Sequence, residues 1–168
     1  MKKNILICTY TKFPDGSATA VRVTSFIQML KRLGHEVDLV TMNDRYSDVP
    51  EKSLDGVTRY NYRLYHSRHP FKVINYFLYG FFLKKLLERK NYDVVIDMGL
   101  PYFSFLYVKR QVSLGNLNLV FDAIDWYSAF HYRFGFFSFN YLFRELKLKY
   151  GIGKNIRAIC ISRYFEGY

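Results

Sequence analysis

Three aspartates fall where apolar runs end: Asp97 closes YDVVID, and Asp122 and Asp125 sit at the end of NLVFDAID. Carboxylates at strand ends can orient hydroxyls, exchange protons or hold cations. Asp125 has the richest surroundings. Trp126, the only tryptophan, follows it, then Tyr127 and His131, so one short loop offers ring faces and hydrogen-bonding groups together, the mix that sugar sites use. The plainer reading is that each aspartate caps the next turn or helix, and that His131 is an ordinary surface histidine.

A second candidate lies near the start, where Gly16 and Ser17 precede a helical pattern. Backbone N–H groups at such a helix start can meet a phosphate or hydroxyl; a simple turn glycine would look the same. The dinucleotide fingerprint G-x-G-x-x-G is missing, which disfavours a nicotinamide cofactor. CxxC pairs, HExxH, GxSxG and the P-loop are missing too, and His35, His66, His69 and His131 are scattered, so no metal and no resident cofactor are expected.

These residues must be positioned by alternating strands and helices. Lys3 to Thr9 is an apolar strand, and Pro14, Asp15, Gly16 and Ser17 then turn the chain. From Ala18, the residues Val23, Phe26, Ile27, Leu30 and Leu33 recur at helical spacing, with Asp15 or Ser17 as cap and Gly34 as a left-handed stop. Val37 to Thr41 restarts a strand, Asn43 to Ser53 reads as polar and turn-rich, and Val57 to Tyr62 as a third strand. Phe71 to Arg89 shows a wide apolar helical face with cations toward its end. Tyr92 to Asp97 is a buried-type strand; Gly99 and Pro101 break the chain before a helix over Tyr102 to Gln111. Asn118 to Asp122 gives a fifth strand, Ala123 to Gly135 a loop, Phe136 to Tyr150 an aromatic helix and Asn155 to Ile161 a sixth strand.

This alternation predicts one α/β domain: a Rossmann-like, doubly wound parallel sheet of about six strands in the order 3-2-1-4-5-6, with helices on both faces. In such a sheet ligands bind beyond the strand carboxyl ends, so Tyr10 to Ser17 should line a cleft. Ser162 to Tyr168 starts a helix too short to dock, so the chain reads as part of a longer protein.

The 168 residues carry a formal charge of +11 and are 20% aromatic, with 16 Tyr and 16 Phe. That balance favours a polyanionic partner: anionic lipid, nucleic acid or a phosphorylated ligand. Cations spread over several helix ends, without a recognised nucleic-acid motif, set nucleic acid aside. Aromatic helices with basic ends suit an anionic membrane surface, where each Lys or Arg contributes roughly 1 kcal/mol. The same rings would also serve as the two apolar layers that cover a parallel sheet. No run approaches the ~20 apolar residues of a spanning helix. Cys8 and Cys160, each in an apolar strand, read as buried free thiols of a reducing compartment. The expected location is cytoplasmic, peripheral on the inner face of the cell membrane where the surface reading holds.

NILICTY, the loop PDGSA leading to Arg22, and LGHEVDLVT are similar to the first βαβ unit of one family; YDVVIDMGLPYFS is similar to its fourth strand and turn. LVFDAIDWY is similar to the strand that bears its acceptor-site aspartate or histidine, and ICISRYF to its sixth strand and the helix after it. Through these stretches the chain resembles the N-terminal half of a GT-B glycosyltransferase of the retaining family 4 type. The resemblance implies that 1–168 is a single acceptor-side domain of a nucleotide-sugar-dependent transferase acting in cell-surface or lipid-linked glycan synthesis. The C-terminal donor-binding domain, with its paired glutamates E-x7-E, would lie outside this chain, in cis or in trans, and the chain alone would not turn over. The donor diphosphate would approach Gly16, Ser17 and Arg22. Asp125 would stand near the reacting acceptor hydroxyl, orienting it while a donor phosphate takes its proton. Tyr10, Gly99, Tyr102, Asp122, Trp126 and His131 would line the acceptor side, for a glycan or lipid-linked acceptor. The nucleotide sugar is then a co-substrate, not a cofactor. The alternative is a non-catalytic, membrane-associated binding or scaffold subunit that recruits a separate catalytic partner.

Overall fold

The computed structural model describes residues 1–10, 13, 17–41, 47–52, 56–62, 74–123, 129–131, 134–151, 153 and 156–160. In chain order the elements are β1 (Asn4–Thr9), α1 (Ala18–Arg32), β2 (Glu36–Thr41), β3 (Ser47–Lys52), β4 (Thr58–Asn61), α2 (Ile74–Arg89), β5 (Val94–Met98), α3 (Tyr102–Ser113), β6 (Asn118–Ala123), α4 (Phe139–Leu146) and β7 (Ile156–Cys160). They form one sheet in the order β3-β4-β2-β1-β5-β6-β7. Every pair from β4 to β7 is parallel, which is the Rossmann-like α/β arrangement expected from the alternation.

Sequence chemistry accounts for the first βαβ unit. Ser17 Oγ accepts the Ala20 N–H at 3.2 Å and starts α1, and Gly34, at φ 83°, turns the chain out of it. Val23, Ile27 and Leu30 of α1 pack on Ile5, Ile7, Leu39, Ile96 and Met98. On the other face Leu6, Cys8, Val95, Leu119 and Phe121 meet Tyr79 and Leu83 of α2 and Phe105 and Val108 of α3. Burial on both faces explains the unbroken apolar runs of the central strands.

Two expectations need correction. The stretch Asn43 to Ser53, read as turn-rich, contains β3, an edge strand antiparallel to β4 whose pairing shifts between Ser47 and Glu51. An edge strand pairs on one side only, so it admits Pro50 and needs no apolar alternation. The single helix over Phe136 to Tyr150 is instead a 3-10 turn at Gly135–Phe137, the α-helix α4, and a π-helical turn at Lys147–Gly151. The predicted loop before it holds a short 3-10 turn at Ala129–His131. Gly16, Asp125 and Trp126 lie outside the described residues, as do 161–168.

Candidate functional site

The strand order reverses between β1 and β5: from β1 the chain winds outward through β2, then returns through α2 to place β5 on the other side. A crevice opens where two such windings diverge. Thr9 and Met98 are register partners at the carboxyl ends of these strands, so the next residues, Tyr10 and Gly99, stand side by side at the edge where the rule places such a crevice. Gly99 has φ 124°, and a Cβ there would lie 3.6 Å from the Tyr10 backbone nitrogen. The positive φ is what calls for glycine, the 3.6 Å approach being an ordinary van der Waals contact. The Tyr10 ring packs on Tyr76 of α2, centroids 4.4 Å apart.

Asp97, the last core residue of β5 before Met98, is fully buried. Its Oδ1 accepts the N–H groups of Gly99 at 2.9 Å and Leu100 at 2.7 Å, which fixes the turn that follows β5. Its Oδ2 lies 2.6 Å from Lys147 Nζ, and that ammonium also donates to the Leu100 carbonyl at 3.0 Å. Lys147 sits over the Phe105 and Phe121 rings, 5.0 and 4.9 Å from their centroids. Burial holds the Lys147 ammonium below the usual lysine range, against the opposing pull of Asp97. Burial, with Asp97 adding to it, pushes the adjacent Cys8 thiol well above its ordinary value. Asp97 is thus a turn-fixing residue, the plainer of its two sequence readings.

Asp122 stands near the carboxyl end of β6 with its side chain fully buried, and Arg22 reaches it from the second turn of α1. Arg22 Nε donates to Oδ2 at 2.8 Å and Nη2 to Oδ1 at 2.7 Å, a bidentate, charge-assisted pair. The Phe26 ring backs the guanidinium at 5.3 Å. Ser17, whose hydroxyl caps α1, and Arg22 therefore belong to one helix start, and Asp122 ties that start to β6.

The other sequence candidates are placed as follows. Tyr102 opens α3 three residues after Gly99, with its ring stacked on Phe143 at 5.3 Å. His131 is exposed on its 3-10 turn. Tyr10 and Gly99 are brought together, as are Arg22 and Asp122; Gly16, Asp125 and Trp126 are outside the described residues. Among the described residues no group of three or more His, Cys, Asp or Glu side chains could hold a metal, and no helix is long and apolar enough to cross a membrane. A wide depression of ≈ 800 Å³ lined by Asn4, Lys84, Asp93, Arg110 and Asn118 lies at the amino ends of β1, β5 and β6, away from the crevice.

Lys147 is the residue that sequence reading missed. In the sequence it is one of three cations, with Arg144 and Lys149, late in an aromatic stretch, and its only distinguishing signal is its place beside Leu148 and four residues before Gly151.

The sheet order and the helices that cover it define a Rossmann-like α/β domain. No family model matches the chain, and comparison with curated proteins finds no match. Among solved structures, sucrose-phosphate synthase (tll1590) from Thermosynechococcus elongatus is similar at a TM-score of 0.56 and 12% identity, over 72% of this chain and 33% of that one. A glycosyltransferase from Rickettsia africae ESF-5 has a TM-score of 0.49 and 18% identity, over 94% of this chain and 42% of that one. MurG from Acinetobacter baumannii has a TM-score of 0.44 and 11% identity, over 74% and 37%. What the first of these shares with this chain is the fold. The chain spans a third to two fifths of their lengths, 33%, 42% and 37%.

Proposed function

We propose that this chain is the acceptor-side half of a nucleotide-sugar-dependent glycosyltransferase that builds cell-surface or lipid-linked glycans. The observation that carries the reading is the strand reversal, where Tyr10 and Gly99 stand side by side, flanked by the Ser17-capped start of α1 with Arg22. A helix start and an oriented guanidinium are the groups that suit a diphosphate. The fold, which this chain shares with sucrose-phosphate synthase, supports the reading of a Rossmann-like half.

In this reading a donor-binding domain, in cis or in trans, closes over the crevice and excludes water while donor and acceptor are held together. Half of such a cleft binds without turning over. Asp125, three residues beyond Asp122, orients the acceptor hydroxyl. The test is a transfer assay on the complete enzyme with a panel of nucleotide sugars. Consumption of one donor, and a kcat lowered on the order of a hundredfold by Asp125→Asn, are the expected results. An unchanged kcat removes Asp125 from the site, and no donor consumption at all sinks the transferase reading.

A further inference from the structure

Helices α2 and α3 lie against each other so closely that a Cβ on Gly80 would sit 3.6 Å from Ser104 Oγ. Both leave large apolar side chains in solvent over their amino-terminal halves. Phe77 and Phe81 of α2 are 48% and 67% exposed, and Phe103 and Leu106 of α3 are 42% and 39% exposed. These rings are connected. Phe77 stacks on Phe103 at 5.2 Å, Phe103 meets the α4 residue Phe143 at 5.4 Å, and Phe143 meets Phe139 at 6.2 Å. Contiguous exposed apolar surface of this kind marks an interaction site.

Cations on the same helices say what covers it. One turn beyond Phe81 come Lys84 and Lys85, both exposed, and one turn beyond Leu106 comes exposed Arg110. The helical rise sets these cations about 5–10 Å behind the rings. Glu88, the acidic residue of this face, lies a further turn back, 3.8 Å from Lys84. Both helices run against the parallel strands they connect, so their apolar ends point the same way and the charge order is repeated side by side. A protein interface has an apolar centre ringed by a polar rim; here the polarity is graded along one axis. A bilayer surface is graded in the same way, with a polar layer about 5–8 Å deep over each side of the hydrocarbon.

We infer that this face docks on an anionic lipid bilayer, with Phe77, Phe81, Phe103 and Leu106 in the acyl boundary and Lys84, Lys85 and Arg110 at the headgroup phosphates. The formal charge of +11 favours the same partner at longer range. Because helix amino ends and strand carboxyl ends lie at the same edge of the domain, docking brings the crevice to the membrane surface. The inference does not depend on the transferase reading.

The test is co-sedimentation of the protein with vesicles of phosphatidylcholine alone and of phosphatidylcholine mixed with phosphatidylglycerol. Binding is expected to the mixed vesicles and not to the neutral ones. Phe77→Ser/Phe103→Ser should lower partitioning by about tenfold or more, and Lys84→Glu/Lys85→Glu by about fivefold or more for each charge. Circular dichroism and thermal midpoints matching the parent protein confirm that both variants fold. Equal binding to neutral vesicles, unchanged partitioning of folded variants, or no vesicle binding with a dimer that the phenylalanine variant dissolves would each overturn the inference, the last by assigning the face to a second copy of this chain.

Discussion

Arg22 and Asp122 stand one hundred positions apart in the chain and make two hydrogen bonds of 2.8 and 2.7 Å to each other. The pair joins the start of α1 to the end of β6, so it fixes these two elements, the flanks of the sheet's carboxyl edge, relative to one another. Asp122 is fully buried while Arg22 keeps about a quarter of its side chain, 26%, exposed. Removing the arginine strands a buried carboxylate, and Arg22→Ala should lower unfolding free energy by ~3 kcal/mol. Arg22→Lys cannot restore the fork geometry and should recover less than half of that loss. Urea denaturation of the two variants measures both; full recovery by lysine would mean that charge alone holds the flanks.

The pair of Lys147 and Asp97 behaves differently, because both partners are buried. Lys147→Met leaves Asp97 charged in the core and should cost ~3–5 kcal/mol. In Lys147→Met/Asp97→Asn the charge is gone, and the Asn amide oxygen still accepts from Gly99 and Leu100. That double variant should regain more than half of the single variant's loss in chemical denaturation. A double variant as unstable as the single one would show that the ammonium's bond to the Leu100 carbonyl, not charge compensation, is what matters.

These two ion pairs mark the boundary of what was legible in the sequence. β1, α1 and β2 could be read because their signals are local: an apolar run, a serine cap, a 3.6-residue period and a stop glycine. The strand order followed from the alternation and the handedness of crossovers. β3 could not be read, since SDVPEK has the composition of a turn and is made a strand by its neighbour β4. Asp122 and Arg22 were both singled out, yet nothing in a linear pattern joins residues a hundred positions apart. Lys147 was hidden for the opposite reason: its sequence neighbours Arg144 and Lys149 suggest solvent, and only the π-helical turn carries it inward.

Alkaline pH should destabilise the protein. Burial pushes the Cys8 thiol well above 9.0 and the Tyr79 hydroxyl well above 10.0, and pushes Tyr62 up to about 12. A group with a raised folded value keeps its proton in the native state and releases it on unfolding, so its contribution is full below the unfolded value and falls as pH rises through the folded one. Lys147 acts with the opposite sign: its folded value is lowered, so its burial penalty is relieved as pH rises toward 10.5. Several raised groups oppose one lowered lysine, and unfolding free energy should decline from about pH 9 upward. The buried Tyr62 hydroxyl has no hydrogen-bond partner among the described residues. Tyr62→Phe should therefore leave stability at pH 7 nearly unchanged and make the decline between pH 10.0 and about 12 shallower. Denaturation midpoints across that range decide it, and an identical slope in the variant would exclude Tyr62 as a contributor.

Gly151 closes the π-helical turn and is buried beside Phe105, the ring over which Lys147 sits. A Cβ there would fall 2.7 Å from Phe105 Cε1 and 2.9 Å from Cζ, distances at which something must move. Phe105 is fully buried between α2, β6 and the turn, and its ring also meets Phe121 at 6.1 Å. It has no open space into which to retreat. Gly151→Ala should thus cost ~1–3 kcal/mol by overpacking, although alanine ordinarily favours a helical backbone over glycine. Gly153, two residues on, has nothing within 4 Å of a built Cβ, and Gly153→Ala supplies the matched control with little expected change. The measurement is the urea midpoint of each variant at constant slope. A stabilised Gly151→Ala would mean that the turn relaxes toward an ordinary α-helix and withdraws Lys147 from Asp97.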